Sequence, residues 1–224
     1  MAEPRASAAL LRNVPLFASL DDAHIAMLAP HAQRRTYPRG ATIIEAGEPT
    51  QSLHIIVSGR AQVSVTDTKG NMVIFAILRP GEYFGEMGLL DEHPRSASVM
   101  ARETCEVLTL GKEAFNACLK ENVELVMNVA RGLVKRLRNA DNRIGSLALL
   151  DVYGRVAQLL LQEAETVDGK KVVVGRYSKQ DIARMIGASR ERVSRVMTDL
   201  QNRGFIEVRR AAIVLRDPIV SLTE

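Results

Sequence analysis

Arg190, Glu191 and Arg195 stand close together just after Ser189, interleaved with the apolar residues Val193, Val196, Met197 and Leu200. A guanidinium presents a fork of N–H donors that matches guanine O6 and N7, and a carboxylate accepts from cytosine N4. An Arg–Glu–Arg cluster on one helix face therefore suits the edges of G·C pairs in a major groove. Each good base contact contributes about 1–3 kcal/mol of discrimination. Lys179, Arg209 and Arg210 lie outside the cluster and suit phosphate oxygens, which fix register without reading sequence. A solvated helix face with local ion pairs would use the same residue types.

The flanking residues supply the elements that must hold this cluster. Ser178 followed by Asp181 resembles a capping box with Asp in place of Glu, and it opens a helix to about Met185. Gly187 supplies a sharp turn, and Ser189 then caps a second helix that buries Val193, Val196, Met197 and Leu200. That arrangement turns Arg190, Glu191 and Arg195 outward in the first turns, where a recognition helix meets a groove. FIEVRRAAIVLRD follows as a β-hairpin wing, and VDGKKVVVGRYS precedes the pair with a DG turn and a short strand. DVYGRVAQLLLQEAE forms a further helix with Val152, Val156, Leu159 and Leu160 on its apolar face.

Charge points the same way. The 224 residues carry a formal net charge of +4, yet residues 170–224 alone hold 12 Lys and Arg against 6 Asp and Glu. A basic C-terminal region on a near-neutral body suits a polyanionic partner.

Upstream, from Tyr37 to Leu110, β-branched and apolar runs alternate with Gly40, Gly47, Gly59, Gly70 and Gly81. This rhythm predicts an all-β barrel or roll. Asp21, Asp22 and then His24 to Leu28 open it as a short helix. The period changes after Gly111. From about Glu121 to Leu149, Val126, Ala130, Leu133, Leu137, Ala140, Ile144 and Leu147 alternate steps of four and three, the a/d seam of a coiled coil. With Ala140 at a d position, Arg136 takes g and Asp141 takes e, the pair that meets across two parallel helices. A homodimer is the expected outcome, packing against the chain's own β domain the other one. The domain division is thus 1–112, 113–150 and 151–224, and the fold class is α+β.

This order of parts resembles the catabolite activator (cyclic AMP receptor) protein and its fumarate-nitrate regulator relatives. GEMGLLDEHPRSASV, GSLALLDVYGRVAQLLL and IGASRERVSRVM carry the resemblance, which runs from about Leu16 through nearly all of the chain. It implies a cyclic-nucleotide-binding, jelly-roll-like domain, a long dimerisation helix and a winged helix-turn-helix. By position, Gly85 and Glu86 would hold a ribose 2′-hydroxyl, while Arg95 and Ser96 would hold a cyclic phosphate, flanked by Met87 and Ala97. The chemistry agrees with the transfer, since a carboxylate accepts from a hydroxyl and a guanidinium beside a hydroxyl neutralises a phosphate. A structural ion pair between Glu86 and Arg95 is the alternative. The resemblance further implies a palindromic operator with TGTGA-like half-sites and RNA polymerase as a partner.

One departure concerns the base. The cassette between Glu86 and Arg95 is one residue shorter than in the cyclic AMP receptor protein, and the family's adenine-contacting Thr-Ser pair aligns with Ala140 and Asp141. Asp141 admits two readings: it accepts from N1–H and N2–H of a guanine in cyclic GMP or cyclic di-GMP, or it pairs with Arg136 of a partner helix.

Other classes find less support. Cys105 and Cys118 lack the number and spacing of a zinc, iron–sulfur or disulfide framework, so they are expected to be buried thiols. His24, His31, His54 and His93 fit core or surface positions better than axial haem ligands, so no prosthetic group or metal is expected. No nucleophile, base and orienting group stand at motif spacing, and an enzyme is not expected. No stretch approaches the roughly 20 apolar residues of a membrane span, and the start lacks an apolar run before a small-residue cleavage site, so a cytoplasmic protein is expected. A ligand-independent or redox-sensing regulator of the same fold, and a cyclic nucleotide module acting on a protein partner, are the remaining readings.

Overall fold

The β-branched runs do form strands, and their residues alternate between two apolar clusters. In the computed structural model, which describes residues 4–175 and 177–216, eight strands build the N-terminal domain. They are β1 (Ala32–Tyr37), β2 (Thr42–Ile44), β3 (Ser52–Ser58), β4 (Ala61–Thr66), β5 (Met72–Leu78), β6 (Tyr83–Phe84), β7 (Ser98–Ala101) and β8 (Cys105–Gly111). They pair antiparallel in two sheets, ordered β1-β8-β3-β6 and β2-β7-β4-β5. The five turn glycines named above all have positive φ, so they do sit where the backbone reverses.

The period-two alternation sorts side chains to two faces. Ile56, Val107, Cys105, Ile44, Val99 and Phe84 fill the space between the sheets. Leu53, Ile55, Leu108 and Leu110 point the other way, onto Phe17, Ile25, Leu28, Phe115, Leu125 and Val129. Each fully buried side chain of this size contributes about 1.5–3 kcal/mol. The helices supplying that second cluster are α1 (Pro4–Arg12), α2 (Asp22–Leu28), α4 (Lys112–Glu121) and α5 (Val123–Leu149), while α3 (Met87–Leu90) is one turn inside the cassette. Asp21 caps α2 through the His24 amide at 2.9 Å.

The range 113–150 holds two helices, α4 and α5, the second opening at Val123 near the expected start at about Glu121. Asn122 adopts an extended conformation (φ −131°, ψ 98°) between α4 and α5, and its Oδ1 accepts from the Leu125 amide at 2.8 Å. Phe115 and Cys118 of α4 are fully buried in the core of their own domain, so α4 belongs with the roll.

The C-terminal domain comprises α6 (Val152–Glu163), β9 (Ala164–Val167), β10 (Lys170–Val174), α7 (Lys179–Ile186), α8 (Arg190–Asn202), β11 (Ile206–Arg209) and β12 (Ala212–Leu215). Its antiparallel sheet runs β11-β12-β10-β9. The expected helix over DVYGRVAQLLLQEAE stops at Glu163, and its last two residues, Ala164 and Glu165, open β9, paired with β10 around Asp168 and Gly169. By contacts the chain divides into Met1–Lys135 and Arg136–Glu224. Residues 1–3 and 217–224, the outer ends of the expected domain ranges, lie outside the described residues.

Candidate functional site

The cassette begins where β6 ends. Gly85 has φ +84°, a conformation that costs an L-residue free energy. A Cβ there would overlap Arg95 Nη1 and lie 3.2 Å from the Ser52 carbonyl oxygen. The backbone and the guanidinium are therefore packed against each other. Arg95 Nη1 donates to the Gly85 carbonyl at 2.9 Å, and Nη2 donates to the Ser52 carbonyl at 2.8 Å.

Backbone bonds hold the return of the loop. The Arg95 amide donates to Glu48 O at 2.9 Å, and the Gly47 amide donates to Arg95 O at 2.8 Å. Thr50 Oγ1 donates to His93 O at 3.1 Å, and it closes on Gly88, where a Cβ would not fit.

Glu86 is fully buried and Arg95 is 7% exposed. Burial lowers the Arg95 pKa, while the negative charges of Glu48 and Glu86 oppose that shift. A guanidinium has five N–H donors, so the bonds to Gly85 and Ser52 leave donors for an anion. Ser96 and Met87 are exposed and Ala97 is buried. The structure thus brings Gly85, Glu86 and Arg95 into one packed unit with Ser96 at its rim. Glu48, Thr50 and Ser52 share that unit. Their part is invisible in the cassette's own residues because it depends on the pairing of distant loops.

The first half of α5 is held close to the cassette. A Cβ on Gly132 would collide with the hydroxyl of Tyr83, the residue that starts β6. Of the seam residues in this half, Val126 is 43% exposed. Leu133 instead leans partly onto the domain's own core, because it sits one helical turn beyond the buried Val129. Further along α5, Leu137, Ile144 and Leu147 are 62%, 65% and 55% exposed. Ala140 and Asp141 are also exposed.

In the C-terminal domain the local signals close as expected. Ser178 Oγ accepts from the Asp181 amide at 3.1 Å, and Asp181 Oδ2 accepts from the Ser178 amide at 2.9 Å. Gly187 ends α7 in the left-handed region (φ +64°, ψ 47°), and the Ala188 amide returns to Ala183 O at 3.0 Å. Ser189 caps α8 through the Arg192 amide at 3.3 Å. Val193, Met197 and Leu200 are buried while Val196 is half-buried.

Arg190, Glu191 and Arg195 are exposed on the first turns of α8, and so is Arg192, which the motif reading passed over. Lys179 Nζ donates to Ser194 Oγ at 2.8 Å, so it is tethered to α8. Arg209 is paired with Glu207 at 2.9 Å, which raises its pKa and lowers that of Glu207. Arg210 follows it, exposed, in the wing turn. Two polar clamps fix α8 and α7 to α6: Tyr153 Oη to Asp199 Oδ2 at 3.0 Å, and Arg155 Nη1 to Ile186 O at 2.9 Å.

Cys105 and Cys118 are buried, and burial raises both thiol pKa values. Among the described residues no group of three His, Cys, Asp or Glu is placed to hold a metal. No described helix is long and apolar enough to cross a membrane.

Comparison with known proteins agrees with both halves. Residues 34–122 match the cyclic nucleotide-binding domain family, and residues 154–219 match the Crp-like helix-turn-helix domain. That combination defines a DNA-binding transcription regulator carrying a cyclic nucleotide-binding domain. The chain is 33% identical over 199 residues to the cAMP-activated global transcriptional regulator Vfr of Pseudomonas aeruginosa, covering 86% of this chain and 93% of that protein. It is 30% identical over 212 residues to a CRP-like cAMP-activated global transcriptional regulator of Mycobacterium tuberculosis, covering 93% and 95%. Among solved structures, the c-di-GMP responsive global regulator CLP of Xanthomonas campestris superposes with a TM-score of 0.73 at 25% identity, covering 88% of this chain and all of that one. The chain belongs to the CRP/FNR family of transcription regulators.

Proposed function

We propose that the chain works in the cytoplasm as a homodimer whose affinity for a palindromic, TGTGA-like operator is set by a cyclic nucleotide held in the roll. The observation that carries the reading is the buried carboxylate of Glu86 beside the buried guanidinium of Arg95, in a loop that leaves Ser96 exposed. Buried charges are costly unless paired and hydrogen-bonded, and a cyclic nucleotide gives this pair a use. Glu86 accepts from the ribose hydroxyl, Arg95 and Ser96 take the phosphate, and Met87 and Ala97 flank them.

The exposed apolar positions of α5 favour a partner helix over solvent. A parallel dimer presents two α8 helices about 34 Å apart, one turn of B-DNA. Arg190, Glu191 and Arg195 then read base edges while Lys179, Ser189, Arg209 and Arg210 contact phosphates. Arg209 exchanges its Glu207 partner for a phosphate oxygen as it docks. RNA polymerase is the protein partner at the promoter.

Cyclic AMP is the first effector to test because relatives sharing 30–33% of residues are named for activation by it. Asp141, exposed on α5, matches the N1–H and N2–H edge of guanine, which supports cyclic GMP and cyclic di-GMP as the other two ligands. Calorimetry with each of the three, on wild type and Asp141→Ala and with and without operator, is the test. One of them binds and shifts operator affinity; a protein that binds none, with unaltered operator affinity, overturns the effector reading. Loss of guanine-ligand affinity in Asp141→Ala assigns the base contact.

A further inference from the structure

A cavity of about 770 Å³ opens between the two sheets of the roll, lined from β1 by Gln33 and Arg35, from β3 by Ser52 and His54, from β8 by Thr109, and by Arg95. Its volume is that of a pocket for a metabolite-sized ligand. Glu86, Ser96 and Met87, the cassette residues of the proposed nucleotide site, are not among its lining.

The floor of this cavity is polar and unsatisfied. His54 is 5% exposed, and its Nδ1 and the neighbouring Thr109 Oγ1 are buried side-chain atoms with no hydrogen-bond partner. The two residues face each other across the β3–β8 ladder, so both atoms belong to one spot. Each such unsatisfied group costs free energy on burial, which a ligand that completes the bonds recovers. The His54 ring is fixed from the other side, stacked on Phe84 at 5.0 Å. Burial, then the positive charges of Arg95 and Arg35, hold its pKa down to about 3. It therefore meets a ligand as a neutral imidazole whose tautomer can place N–H at Nδ1.

The groups converging here are mostly donors: two guanidiniums, a threonine hydroxyl, an imidazole and the Gln33 amide. Glu48 and Glu113 stand at the wall. Arg35 is tied only loosely, by Nη2 to Gln33 Oε1 at 3.3 Å. We infer that the mouth of the roll is a binding site for a small organic oxyanion, a carboxylate or phosphate held by Arg35, Arg95, Thr109 and His54.

The site shares Arg95 with the proposed cyclic nucleotide site and in that one respect rests on the reading above. Two ligands that draw on the same guanidinium weaken one another, and the coupling is reciprocal.

The test is a histidine-ring NMR titration of the full chain with inorganic phosphate and, separately, succinate, the His54 signal being assigned from His54→Gln. The expected result is a saturable shift of that signal with at least one of the two, at millimolar levels. Arg35→Gln and Thr109→Val each weaken it about tenfold or more, while cyclic AMP affinity in both variants stays within about twofold of wild type. Whichever anion saturates first identifies the headgroup. The inference is overturned if the signal stays unsaturated with both anions up to tens of millimolar. It is equally overturned if Ser96→Ala weakens the shift as much as Arg35→Gln, because the anion is then in the nucleotide cassette. A saturable shift in a protein that binds no cyclic nucleotide refutes the effector reading alone; nucleotide binding without the shift refutes this site alone.

Discussion

Gly40→Ala and Gly85→Ala impose the same backbone strain and differ in what the new methyl meets. Both glycines have φ +84°, where an L-residue loses about 1–2 kcal/mol. Nothing lies within 4 Å of a Cβ at Gly40, whereas at Gly85 it displaces the Arg95 guanidinium. Losing the charge-assisted bond from Arg95 Nη1 to Gly85 O removes a further 1.5–3 kcal/mol or about that much. Gly85→Ala should therefore destabilise the roll by about 2.5–5 kcal/mol against about 1–2 kcal/mol for Gly40→Ala. Urea unfolding followed by far-UV circular dichroism reads this difference. Calorimetry adds the functional half: a misplaced Arg95 lowers cyclic nucleotide affinity about tenfold or more in Gly85→Ala, since 1.4 kcal/mol is a factor of ten, and Gly40→Ala leaves it unchanged. Equal stabilities and equal ligand affinities in the two variants would refute the packing of Gly85 against Arg95 as the organising contact of the cassette.

Arg190→Ala should lower operator affinity by about 1–3 kcal/mol with little change on random DNA, measured by fluorescence anisotropy; equal losses on both would remove Arg190 from base reading. Lys179→Ala should weaken all sequences alike and reduce the log–log salt slope by about 0.9, and an unchanged slope would place its ammonium away from phosphate. Leu137→Glu together with Ile144→Glu should convert dimer to monomer in sedimentation, with helicity retained; a persistent dimer would locate the interface elsewhere. His54, with a folded pKa of about 3 against about 6.5 unfolded, is neutral in the fold. Its contribution to stability is complete above pH 6.5 and falls as pH drops from there toward 3, by up to about 1.4 kcal/mol per pH unit. Wild type should lose about 1.6 kcal/mol more than His54→Gln between pH 6.5 and 5 by urea unfolding, and parallel losses would show that His54 titrates freely in the folded protein.

The helix-turn-helix was legible because its determinants are local. A cap serine, a turn glycine and the spacing of Val193, Met197 and Leu200 act within a few residues, and each closes in the structure as its type demands. The strands of the roll were legible for the same reason. The attachment of α4 to the roll was not, because it rests on burial of Phe115 and Cys118 against distant elements. Nor was β9, whose Ala164–Val167 continues the preceding helical sequence and becomes a strand only by pairing with β10. Leu133 fits a seam by period, but its neighbour one turn back is Val129, which the roll buries. In the cassette, Glu86 and Arg95 came from the resemblance, whereas Ser52, Thr50 and Glu48 join them only through tertiary pairing. The cavity at His54 left no trace in sequence, since an isolated histidine among Leu53, Ile55 and Ile56 reads as core, and its partners come from three other elements.

The most direct test of the account is anisotropy of a labelled TGTGA-type palindrome titrated with the purified protein, with and without cyclic AMP, cyclic GMP or cyclic di-GMP, against a scrambled duplex of equal length. The expected result is a preference for the palindrome that one of the three nucleotides changes by tenfold or more, with a slope in salt matching several phosphate contacts. Equal binding of palindrome and scrambled DNA, unmoved by any of the three, would contradict it.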